Sequence, residues 1–259
     1  MADDSVRSCN VWSLIRRLKF PELESGDPAI KPWVILPRTF IWNEEQIAKL
    51  FDSIMRGFPI GTFLIWRTDA AVVYQNLVAQ WSDSTTVSGE GLLQHNGAKD
   101  IILDGQQRLQ SLIIGLAGSY NGREMYFDVT SGDAISPDDI RYCFGFKDAQ
   151  AGWPWVRFKD VLGELSSDRS TPALGQIGLS AAMSGAGSVV ERKKIAGNLM
   201  LALVRFQKHV NINYQLVFRN NYERFRGASS MYAMEEAAEI FKRANACGTA
   251  PDRFVVSLA

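Results

Sequence analysis

Ile101-Ile102-Leu103-Asp104-Gly105-Gln106-Gln107-Arg108-Leu109 decides how this chain is read. Three apolar residues of strand type are cut at Asp-Gly, and an amphipathic helix begins at once. Leu109, Leu112, Ile113 and Leu116 repeat at helical spacing, and Gly118 is the stop signal. A strand that turns directly into a helix aims unpaired backbone N–H groups at the positive end of the helix dipole, which suits an anion. Asp104 is expected to cap the helix, and Gln107, three residues on, to complete a capping-box pair. Arg108 is left over. A cation in the first turn opposes the dipole at a cost of ~0.3–1 kcal/mol. A guanidinium there is better explained by a phosphate, which it can hold in a bidentate fork. A capped structural turn and an anion site both stay open on this local physics.

Working outward, residues 11–19 read as a short amphipathic helix and 21–32 as a turn-rich connector. Asn43 caps a helix whose Ile47, Leu50, Phe51, Ile54 and Met55 form one apolar stripe, ended by Gly57. Strands are expected at 62–66, 70–74, 125–129 and 141–146. Residues 82–98 form a polar Ser/Thr/Gly loop, and 163–190, rich in Gly, Ser and Ala, a flexible one. A helix follows over 190–209, a strand over 211–218 and a last helix over 232–245. The pattern is α+β, a small mixed sheet with substantial helical additions. It divides into an N-terminal helix and connector, 1–36, and a main domain, 37–259.

Composition excludes several classes. Lys+Arg and Asp+Glu both total 28, so no global field draws the chain to nucleic acid. No apolar run is long enough to span a membrane, and the N-terminus lacks a basic, apolar leader, so a cytoplasmic protein is expected. Cys9, Cys143 and Cys247 are odd in number and far apart, without zinc-ligand spacing, and read as reduced thiols. The two histidines, His95 and His209, have no carboxylate or nucleophile beside them in sequence, which argues against a His-based nuclease centre. The Walker A pattern is absent. Gly57-Phe58-Pro59-Ile60-Gly61 is not expected to cradle phosphate, because bulky residues intervene and no Lys follows.

The chain resembles the N-terminal domain of GmrSD-type restriction endonucleases, and three blocks carry the resemblance. The first is Arg38-Thr39-Phe40-Ile41-Trp42-Asn43 running on to Phe58-Pro59-Ile60-Gly61-Thr62-Phe63-Leu64-Ile65-Trp66. The second is the DGQQRL turn itself. The third is Glu239-Ile240-Phe241-Lys242-Arg243-Ala244-Asn245-Ala246-Cys247-Gly248-Thr249. Two departures stand out: Pro37 where the family usually has Gln, and Gln110 where it often has Thr.

The resemblance implies a ParB/sulfiredoxin-like core and a place in anti-phage defence. It implies a nucleoside triphosphate as substrate or ligand, with Mg²⁺. Asp104, Gln106, Gln107 and Arg108 are the implied catalytic set: Arg108 on phosphate, a Gln positioning water or phosphate oxygens, Asp104 orienting Arg108 or holding the metal. Arg38, Gly105, Arg108, Arg243 and Asn245 are the implied phosphate contacts, and Phe40 and Trp42 candidate base platforms. Implied partners are DNA, modified in some systems, an HNH-type nuclease domain or subunit, and a further copy of the chain; no membrane is implied. Hydrolysis that regulates a nuclease is the first expectation. A non-catalytic sensor that controls a separate nuclease is the alternative, and a DNA-nicking domain a minor one.

Overall fold

The structure, a computed structural model, describes residues 6–19, 33–35, 39–68, 72–83, 93–94, 99–133, 136, 139–163 and 176–217. In chain order, β1 (Val6–Asn10) runs into α1 (Val11–Lys19), which Asn10 caps by accepting from the Ser13 amide at 2.7 Å. β2 (Trp33–Ile35) precedes α2 (Glu44–Arg56). There Asn43 and Gln46 form a full capping box, and Gly57 closes the C-terminus at φ 77°. β3 (Thr62–Thr68), β4 (Val73–Tyr74), β5 (Gln80–Trp81), β6 (Leu93–Gln94) and β7 (Lys99–Asp104) lead to α3 (Gln106–Ala117). β8 (Ser119–Tyr120), β9 (Glu124–Asp128), β10 (Phe144–Lys147) and β11 (Trp155–Arg157) follow. Then come α4 (Phe158–Leu162), α5 (Gln176–Ser184), α6 (Val189–Leu203), a π-helical turn (Val204–Lys208) and β12 (Val210–Val217).

The main sheet has the order β1-β12-β3-β7-β2 and is mixed: β12 is parallel to β3 and β2 to β7, while β1–β12 and β3–β7 are antiparallel. β10-β9-β11 form a second, antiparallel sheet, and β4–β6 and β5–β8 two short ribbons. This is the α+β class expected, with a small mixed sheet. One apolar core joins the layers. The predicted α2 stripe is buried in full, and Phe51, Phe127, Phe144, Phe158 and Phe206 interlock around it, with ring centroids 4.8–6.0 Å apart. Such stacked, tilted and edge-on pairs contribute beyond their area.

Three expectations change. Residues 6–19 and 33–35 do not stand apart from the rest: β1 and β2 are strands of the main sheet, and Val11, Leu14 and Ile15 lie in the common core. The 163–190 segment is not a loop throughout, because α5 occupies 176–184. Its small residues serve close packing: Ala182 is fully buried, and a Cβ on Gly178 would fall 2.5 Å from the Asp160 carbonyl oxygen. The helix expected over 190–209 changes to π geometry at Val204 and ends at Lys208. Residues 164–175, the helix expected over 232–245 and most of the 82–98 loop lie outside the described residues. No helix among the described residues is long and apolar enough to cross a membrane.

Candidate functional site

The strand-to-helix break is built as a glycine turn. Asp104 ends β7 opposite Leu64 of β3, where the register of the pair slips. Gly105 takes the left-handed φ of 90° and is itself the N-cap of α3. A Cβ there would sit 2.5 Å from the Phe63 ring, so conformation and space both demand glycine. No side chain caps the helix. The expected Asp104–Gln107 capping box is therefore corrected: the left-handed glycine starts the helix one residue late and frees both side chains for other partners.

Those partners are specific. The Asp104 carboxylate accepts from Arg108 Nη2 at 2.9 Å, an i,i+4 ion pair that leaves about a third of the Asp104 side chain exposed. Arg108 also donates through Nη1 to the Ile60 carbonyl at 2.5 Å and through Nη2 to the Thr62 carbonyl at 3.2 Å. Its guanidinium lies 5.0 Å from the Phe63 ring centroid. Burial lowers the Arg108 pKa from its ordinary value, and the Asp104 charge and hydrogen bond work against that fall.

Gln106 turns inward, 4% exposed, and its amide nitrogen donates to the Ile102 carbonyl at 2.7 Å. Its Oε1 is buried without a partner. Gln107 holds the 39–41 segment from both sides, donating to the Thr39 carbonyl at 3.0 Å and accepting from the Ile41 amide at 2.9 Å. Three consecutive side chains, those of Gln106, Gln107 and Arg108, thus hold backbone groups of β7, the 39–41 segment and the 60–62 segment, which makes the turn a clasp for the fold as well as a candidate site.

The other expected residues divide. Arg38, Arg243 and Asn245 lie outside the described residues. Phe40 is in the core, 7% exposed and edge-on to Trp81 at 5.0 Å, so its faces are not open to a base. Trp42 is only partly buried. Cys9 and Cys143 are not joined in a disulfide among the described residues, and burial pushes the Cys143 thiol up; Cys247 and His95 lie outside the described residues.

Sequence reasoning missed Gln110, whose side chain accepts from the Val78 amide at 3.1 Å and donates to the Val78 carbonyl. Its signal was available: a Gln amid Leu109, Ser111, Leu112 and Ile113 on a buried helix must find hydrogen bonds. Asp100, 1% exposed and held bidentately by Arg67 at 2.7 Å for each bond, was missed too. An acid next to the apolar 101–103 run gave no sign of facing inward.

Among the described residues no three His, Cys, Asp or Glu side chains cluster to hold a metal. Asp104 stands as the one carboxylate at the turn, which fits Mg²⁺ only as part of a metal–triphosphate complex, since such sites use one or two carboxylates and complete the shell with substrate phosphates.

No curated protein sequence matches the chain. The family described as "GmrSD restriction endonuclease, N-terminal domain" matches residues 29–254, which takes in the DGQQR turn and all three blocks. An uncapped helix end carrying a paired arginine, set in a match that spans most of the sequence, leads to one assignment: the chain belongs to the family of GmrSD restriction endonuclease N-terminal domains.

Proposed function

We propose that this domain, whose family places it in a restriction system, binds a nucleoside triphosphate at the DGQQR turn and hydrolyses it to govern a nuclease that cuts foreign or modified DNA. The observation that supports this reading is Arg108 standing in the first turn of a helix whose N-terminus no side chain caps. Backbone N–H groups and a guanidinium then converge on one anion. Arg108 neutralises phosphate charge, and Asp104 aims it and meets the Mg²⁺ that arrives with the triphosphate. Gln106 and Gln107 act as positioning residues through the backbone they hold. Arg38, Arg243 and Asn245 are proposed as further phosphate contacts, and Trp42 as the aromatic candidate for the base. We take the five-stranded mixed sheet, with α2 and α3 packed on it, as the ParB/sulfiredoxin-like core. DNA and an HNH-type nuclease domain or subunit are its proposed partners.

A second reading has its own support. The carboxylate at the turn is already engaged by Arg108, so no free general base stands there among the described residues. The domain would then hold a nucleotide or DNA phosphate as a signal without turnover. Phosphate release with each of four NTPs and Mg²⁺, with and without DNA, separates the two for the wild type, Arg108→Ala and Asp104→Asn. Turnover lost in variants that still melt cooperatively supports hydrolysis. No turnover with any NTP, from folded wild type, overturns it in favour of the sensor.

A further inference from the structure

Among the described residues four buried side-chain atoms lack a hydrogen-bond partner, and three of them fall within residues 205–211: Arg205 Nε, Gln207 Oε1 and Asn211 Oδ1. The fourth is Gln106 Oε1, in the motif itself. Orphaned buried groups are uncommon enough in folded proteins that each calls for a cause. The three sit on and just after the π-helical turn Val204–Lys208, and π turns recur at functional sites.

Arg205 is the informative one. Its guanidinium lies flat against Gly57, where an added Cβ would come within 2.7–2.9 Å of Nη1, Cζ and Nη2. Gly57 opens the turn Gly57-Phe58-Pro59-Ile60-Gly61, and at the other end an added Cβ on Gly61 would collide with Arg108 Nη1. Both glycines have left-handed φ, 77° and 83°. Two guanidinium groups therefore press on the two ends of one five-residue turn.

Their charges are balanced differently. Arg108 is paired with Asp104. Arg56, stacked 4.3 Å from the Phe58 centroid, is 3.6 Å from an Asp52 oxygen and donates to the Asp139 carbonyl. Arg205 has no carboxylate and no acceptor for its guanidinium among the described residues; only its backbone carbonyl is used, by Asn211 Nδ2 at 3.1 Å. A cation beside the end of α2 is favoured by the helix dipole, but that role leaves the buried Nε–H without an acceptor. Gln207 and Asn211 offer oxygens, which repel an anion, so the donor is Arg205 alone.

We infer that Arg205 is a second anion contact, at the far end of the Gly57–Gly61 turn from Arg108, which makes this a site for a polyphosphate chain rather than a single phosphate. This rests on the nucleotide reading above and names a residue outside the DGQQR turn. The turn whose sequence argued against phosphate binding would bind through arginines brought to it from α3 and the π-helical turn.

The test is the affinity of the whole chain for orthophosphate, tripolyphosphate and the NTPs, by titration calorimetry, for wild type, Arg205→Gln, Arg205→Lys and Arg108→Ala. Ligand-free melting checks each fold. The expected result is a tenfold or greater loss of tripolyphosphate and NTP affinity in Arg205→Gln, with orthophosphate affinity unchanged and Arg205→Lys intermediate. A merely structural arginine would shift melting without changing this discrimination between one phosphate and three. Unchanged tripolyphosphate affinity in Arg205→Gln, beside a loss in Arg108→Ala, overturns the inference and leaves the nucleotide reading standing. If folded wild type binds none of the probes, both fall.

Discussion

Arg108 and Gln110 show what a polar side chain on a buried helix can carry. Arg108 ties β7, the Ile60–Thr62 segment and α3 together, and Gln110 ties α3 to Val78 through both of its amide atoms. Gln110 stands where the family often has Thr, and a threonine is too short to make both bonds. Gln110→Thr should cost about 0.5–1.5 kcal/mol, the net worth of an ordinary hydrogen bond, because Val78 is itself exposed and its freed groups can meet water. Urea unfolding measures the loss, and hydrogen exchange at the Val78 amide should quicken selectively. An unchanged midpoint with unchanged exchange would show that the clamp carries no stability.

Between elements, α5 meets α4 backbone to backbone. Gly178 lets the α5 backbone meet Asp160 and Val161 directly: an added Cβ falls 2.5 Å from the Asp160 oxygen and 2.6 Å from the Val161 nitrogen. Backbone on both sides leaves nothing flexible to move aside. Gly178→Ala should destabilise by about 1–3 kcal/mol in spite of its higher helix propensity, because overpacking outweighs that gain. At roughly 2–4 °C per kcal/mol for a chain of this size, scanning calorimetry resolves the drop. A rise in Tm would mean that α5 packs more loosely than this geometry requires.

Across the whole molecule, charges that cancel in sum are paired in place. Burial disfavours ionised Glu124, but hydrogen bonds from Lys159 and Arg157 outweigh it and bring its pKa below the ordinary carboxylate value. A carboxyl group depressed in the folded state stabilises above its unfolded pKa of ~4.3, and that contribution is lost as pH falls through the lower folded value. Melting wild type and Glu124→Gln from pH 6 to pH 3 should therefore show a gap that is widest near pH 6 and closes towards pH 3. A gap of constant size would place the effect in packing instead of charge. At the same scale, β12 inserts between β1 and β3, so residues 210–217 are needed to bind the N-terminal strand to the sheet that carries the site.

What the sequence alone determined was local. The break at Asp104-Gly105, both caps of α2, its apolar stripe and strand β9 were all legible, because each rests on contacts within a few residues or on simple periodicity. The motif blocks likewise identified the family. Tertiary structure decided the partners. Gln107 reaches 66 and 68 residues back along the chain, Arg108 46 and 48, and Gln110 32. No spacing rule encodes such pairs, since they exist only once β3 and β7 are side by side and α3 packs beneath them. For the same reason Arg205, unremarkable within its helical pattern, acquires meaning only when the π-helical turn brings it against Gly57.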